Sequence, residues 1–96
     1  MQEAEDPAFI ALRRSFIEGL AARLVAIRGP DAEVRDQALH KLAGAAGAYG
    51  LDFLSEQARR IEAAVRSRNS AAVEAGLDAL TAQVAALRAG HPRQAT

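Results

Sequence analysis

Two stretches of helical periodicity are joined by only three residues, Gly50, Leu51 and Asp52. So short a link makes the flanking helices turn back on each other as an antiparallel hairpin. Gly50 suits the left-handed position just past a helix end, and Leu51 is placed to fold back hydrophobically behind it, as in a Schellman turn. Asp52 is placed to cap the helix that follows. The rest of the chain is punctuated in the same way. Asp6-Pro7 starts a first helix over about 7–28, in which Phe9, Leu12, Phe16, Leu20, Leu24 and Ile27 recur at spacings of three and four. Gly29-Pro30 ends it, and Asp31 or Gly29 caps a second helix over about 32–49, with Val34, Ala38, Leu39, Leu42, Ala45, Ala46 and Tyr49 inward. A third, over about 53–68, turns Leu54, Ala58, Ile61 and Val65 to a core and carries Ser55, Arg59, Glu62 and Arg66 as the stripe beside it. Asn69 or Ser70 caps a fourth over about 71–89, with Val73, Leu77, Leu80, Val84 and Leu87 on one face, and Gly90 with Pro92 stops it. The tail, 90–96, is expected to be loose.

Four helices in 96 residues make one domain, 1–96, with a single modest core and no room for a separate nucleotide-binding catalytic fold. The expectation is an all-α protein. Twelve basic and twelve acidic residues leave the formal charge at zero, so no general field draws in nucleic acid or an anionic membrane. Without cysteine there is neither disulfide nor thiolate chemistry, which is compatible with the cytoplasm. The start, MQEAEDPAF, lacks an apolar run after a basic one, so no signal peptide is expected, and no stretch approaches a membrane span.

One segment departs from ordinary helix design. In HKLAGAAGAYG, residues 40–50, Leu39, Leu42, Ala46 and Tyr49 fall on one side of a helix, while His40, Gly44 and Gly47 fall together on the other. Solvent-facing glycine inside a helix costs roughly 1 kcal/mol relative to alanine, so the two glycines together give up about 2 kcal/mol. Their missing side chains leave a flat approach to the imidazole one and two turns away. That approach is wide enough for a large partner.

These residues carry a resemblance. His40, Leu42, Gly44, Ala45, Ala46, Tyr49 and Gly50 match, at seven positions, the signature of histidine-containing phosphotransfer (HPt) domains. The resemblance implies an up-and-down antiparallel four-helix bundle in which His40 is the phosphoryl acceptor. It also implies receiver-domain partners, one on a response regulator and one on a hybrid histidine kinase, each bringing a phosphorylatable aspartate and magnesium. The chain itself would bind no cofactor. It would be a monomeric phosphoryl carrier with no turnover chemistry of its own, relaying phosphate reversibly between receiver aspartates.

An outward histidine on a helix is ordinarily just solvated, and it is the adjacent glycines and the seven-position match that set His40 apart. Phosphoryl acceptance needs a neutral ring nitrogen, which imidazole, with an ordinary pKa of about 6.5, supplies at neutral pH. A flat helix surface provides positioning for a loose, in-line transfer but little charge neutralisation. Lys41 either helps hold the phosphoryl group or is a solvated lysine. HPt domains often carry a lysine three residues after the histidine, where this chain has Ala43. Arg59 and Arg66 are the candidates to replace it. Glu62 matches a place where similar domains have Gln or Glu near the ring. It either orients the imidazole or pairs with Arg59 or Arg66 at helical spacing. Glu33 and Asp36 form an acidic rim or serve the helix dipole. His91, in the tail, has no spacing to His40 that suggests a metal pair, and Phe9, Phe16, Tyr49 and Phe53 read as core. A rival function is a non-phosphorylated module that binds a receiver or another helix through the same surface. A third is self-association through the apolar stripe of the last helix.

Overall fold

The computed structural model describes residues 6–90, and these are all-helical: α1 (Pro7–Glu18), α2 (Leu20–Ile27), α3 (Ala32–Ala48), α4 (Asp52–Arg66) and α5 (Ser70–Ala89). Among them no helix is long and apolar enough to cross a membrane. Pro92, His91 and most of the expected tail lie outside the described residues.

The helix expected over 7–28 is two helices divided at Gly19, which corrects that expectation. Gly19 keeps right-handed dihedrals of φ −84°, ψ −2°, and its amide is shared between the Ser15 and Phe16 carbonyls. The backbone therefore loosens without reversing, because glycine is the weakest helix former short of proline and sits where kinks arise. Ile17 and Leu20, on either side of the break, are both buried. The buried face is turned toward Ile17, which leaves Leu12 at its edge and 57% exposed rather than in the core.

Three helix starts are capped by side chains: Asp6 accepts from Ala8 N, Asp31 from Glu33 N and Val34 N, and Asn69 from Ala72 N. Two starts have none, that of α2 at Gly19 and that of α4. Leu51 occupies its N-cap without a side-chain bond, and Asp52 is its first residue, where the carboxylate complements the helix dipole rather than capping. The turn before it is a Schellman motif. Gly50 has φ +76°, its amide bonds the Gly47 carbonyl at 3.1 Å, and the Leu51 amide bonds Ala46 at 2.8 Å while the Leu51 side chain is buried. The end of α4 repeats this geometry with Arg68 at φ 56° in the glycine position, and with amide bonds from Arg68 to Val65 and from Asn69 to Ala64.

The core is built from Phe16, Ile17, Leu20 and Ile27 of the α1–α2 segment, Leu39, Leu42 and Ala46 of α3, Leu51 before α4, Leu54, Ala58 and Ile61 of α4, and Leu77, Leu80 and Val84 of α5. Tyr49, at the end of α3, ties α1 to this core. Its ring stacks on Phe16 at 5.0 Å and meets Phe9 at 5.6 Å, and its carbonyl accepts from Arg13 Nε at 3.1 Å. Phe9 and Phe53 nevertheless remain partly exposed, as does Val34, which was expected inward and lies in the first turn of α3.

α4 and α5 approach closely at Gly76. A Cβ there would stand 2.7 Å from Ile61 Cγ1, and the Gln57 amide donates to the Gly76 carbonyl at 3.4 Å. Ile61 is buried and branched at Cβ, so it cannot turn aside. Gly76→Ala should therefore lower stability by about 1–2 kcal/mol, since overpacking outweighs the gain in helix propensity. Urea unfolding that gives equal or greater stability would mean that α5 can slide away at no cost.

Candidate functional site

α3 and α4 meet along a seam whose register is set by contacts two turns apart. At one end the Ser55 hydroxyl, buried, donates to the Ala43 carbonyl at 2.7 Å, and a Cβ on Gly47 would lie 3.6 Å from Ser55 Oγ. At the other end His40 Nδ1 stands 3.3 Å from Glu62 Oε2. The seven-residue step from His40 to Gly47 runs opposite the equal step from Glu62 back to Ser55, as antiparallel helices of equal rise require.

This geometry sets Glu62 toward the ring. Its carboxylate faces the imidazole, and among the described residues its one ion-pair partner is His40, not Arg59 or Arg66. A carboxylate only accepts, so a hydrogen bond across this contact requires the proton on Nδ1 and leaves the lone pair on Nε2. The His40 side chain is 79% exposed and that of Glu62 18%. The acceptor nitrogen therefore points away from a partly sheltered carboxylate into open space.

The neighbours of His40 divide sharply. Gly44, one turn on, is exposed and has nothing within 4 Å of where its Cβ would be. No helix packing requires a glycine there. Gly47 is solvent-accessible but faces Ser55 on the α4 side, so it belongs to the seam and not to an open approach. Ala43 is a correction: it is 1% exposed, packed in the core, and offers no side chain to a docking surface. Ser55, in the stripe expected beside the core, is buried under α3. Its role was hidden because a serine beside a run of core positions reads as a boundary residue until the carbonyl it meets is known.

Lys41, Arg59 and Arg66 are exposed. The register places Arg59, three residues from Glu62, level with Ala43, and Arg66, four residues beyond Glu62, level with Asp36. Asp36 lies 3.4 Å from Arg35, and Glu33 occupies the first turn of α3, where its charge complements the helix dipole.

The model of the Hpt domain family matches residues 11–90, and the chain belongs to that family. Hpt domains are phosphocarriers of histidine phosphotransfer in two-component systems and typically engage receiver domains. No curated protein and no solved structure matches the chain.

If Glu62 holds the proton on Nδ1, nitrogen-15 spectra above the imidazole titration should show the Nε2-unprotonated tautomer dominant in His40. Glu62→Ala should shift the ring toward the mixture, weighted to the opposite tautomer, that free imidazole side chains adopt. Identical tautomer populations in both proteins would mean that the contact does not orient the ring.

Proposed function

We propose that this chain is a phosphoryl carrier in which Nε2 of His40 accepts the group from a receiver aspartate and returns it to another. The observation that carries this is the pairing of a ring held by Glu62 through Nδ1 with the unfilled surface over Gly44. In the forward step the Nε2 lone pair forms the N–P bond as the P–O bond to the aspartate breaks. The aspartate leaves as carboxylate with the bonding pair, Nδ1 keeps its proton, and Glu62 faces the positive charge that the ring acquires. The reverse step returns phosphorus to a carboxylate oxygen.

Transfer through a loose transition state depends on alignment and on neutralising charge over the equatorial oxygens. The rigid surface of α3 supplies alignment. Around His40 the cations Lys41, Arg59 and Arg66 accompany the Glu62 and Asp36 carboxylates, and no three His, Asp or Glu side chains gather among the described residues, a donor set unsuited to a divalent cation. Magnesium accordingly belongs to the receiver, where it neutralises phosphoryl charge. The partners are receiver domains of a response regulator and of a hybrid histidine kinase, met by a cytoplasmic monomer. Within this reading the chain is one domain, and α1 with α2 acts as a single bent rod in an up-and-down antiparallel four-helix bundle.

Incubation with a phosphorylated receiver, followed by assay for acid-labile, base-stable phosphate, tests the proposal. His40→Gln should abolish labelling while changing stability by no more than about 0.5 kcal/mol, as for a surface substitution. Gly44→Gln should raise stability by several tenths of a kcal/mol. It should also slow transfer on the order of a hundredfold, because a misplacement of about 1 Å is enough for that loss. Labelling that persists without His40 would overturn the assignment, and receiver binding without any labelling would favour the non-phosphorylated module.

A further inference from the structure

One face of α4 has no part in the seam with α3. Phe53, Gln57, Arg60 and Ala64 recur at spacings of four and three and so share it, and Glu56 stands at its outer edge, one turn before Arg60. Glu62 follows Arg60 by two residues, about 200° round the helix, so His40 lies on the opposite flank. Against α5 this face forms an open cleft of about 300 Å³, bordered by Gln57, Arg60 and Ala64 of α4 and by Ala72 and Gly76 of α5. The hollow exists because α5 turns only small side chains toward it, at the level where Gly76 approaches Ile61.

This face carries both halves of an interface. Phe53 is a large apolar side chain left 46% exposed, and the cleft lies further along the same face. Glu56 and Arg60 are exposed, and neither makes an ion pair among the described residues. Consider a second copy laid antiparallel on this face, with a two-fold axis at the level of Ala58. Each Glu56 then stands opposite the partner's Arg60. The same axis sets Phe53, five residues before Ala58, opposite the partner's Ala63, five residues after it, beside the cleft walls at Ala64 and Ala72. Ring and hollow, acid and base, are matched by one rotation. Helical side chains lean toward the N-terminus of their own helix, which moves the axis by about one position and leaves both pairings intact. The apolar stripe of the last helix is not free for such a contact, since Leu77, Leu80 and Val84 are buried in the core.

We infer that two copies of this chain associate through the outer face of α4, each Phe53 seated in the other's α4–α5 cleft and flanked by Glu56–Arg60 ion pairs. An unrelated partner would have to supply the ring and the carboxylate independently, whereas a second copy carries both at the required spacing. Aromatic anchors in pockets supply most of the energy of such contacts, and exposed charge pairs select the partner and its register. Two rings and two ion pairs make a small interface, so the dimer exchanges with the monomer that meets receivers. Both copies of His40 stay open, because each lies on the flank of its bundle away from the contact. The inference stands apart from the carrier reading.

Sedimentation velocity of the full chain, from micromolar to millimolar concentration, tests this. The mean mass should rise toward that of two chains. Phe53→Ala should weaken association on the order of tenfold or more, and Ala72→Leu, which fills the cleft, should do the same. Glu56→Arg and Arg60→Glu should each sediment as a monomer, because each sets like charges opposite one another. Mixed in equal amounts, these two variants should associate, since a mixed pair has opposite charges at both contacts. Phe53, Glu56 and Arg60 are exposed, so their variants keep the fold, which circular dichroism verifies. A chain that stays monomeric at millimolar concentration would overturn the inference. So would a dimer that survives Phe53→Ala and both charge reversals, or a mixture that associates no better than its components. Receiver transfer is measured separately and bears on the carrier reading alone.

Discussion

The seam between α3 and α4 is fixed at three levels, and the rest of the site depends on it. The Schellman turn at Gly50 and Leu51 reverses the chain in the fewest residues available. The buried bond from Ser55 to the Ala43 carbonyl then holds the helices together one turn further on, and the contact between Glu62 and His40 closes the exposed end. Because the first two contacts are buried or local, the third needs little strength of its own. A contact of 3.3 Å to a largely exposed imidazole contributes at most modestly to stability. In the proposed carrier its value is directional, since a hydrogen bond there leaves the lone pair on Nε2.

The glycines separate into two kinds once their surroundings are known. Gly76 is a packing glycine, because the α4–α5 approach leaves no space for a Cβ, and Gly50 is a conformational one. Gly44 is neither. Its helix is right-handed and its surroundings are empty, so its cost in helix propensity is not repaid within the resting protein. In the proposed carrier that cost is offset by the access it leaves to a partner.

Much of this was legible in the sequence, because helix caps, three-four spacing and the Gly50 turn are local signals. The outward placement of His40 followed from the same periodicity. What was not legible required knowing how faces meet. Leu12 and Ile17 are equally apolar, and only the rotation of α1 against Tyr49 and the core decides that Ile17 is buried. Gly19 lies inside a helical pattern, and a glycine in a helix either bends it or does not, according to packing. Ala43 was identified by its place in a motif, which says nothing of burial. Ser55 and Gly76 act through partners on other helices, which no spacing along one helix reveals.

The central claim is that Glu62 holds Nδ1 and leaves Nε2 of His40 as the reacting atom. The most direct measurement is the site of the phosphoryl group in protein labelled by a phosphorylated receiver, read from the nitrogen–phosphorus coupling in a nitrogen-15 histidine sample. A single coupling to Nε2 of His40, with Nδ1 still protonated, is the predicted result. Phosphorus on Nδ1, or on any residue other than His40, would contradict the account.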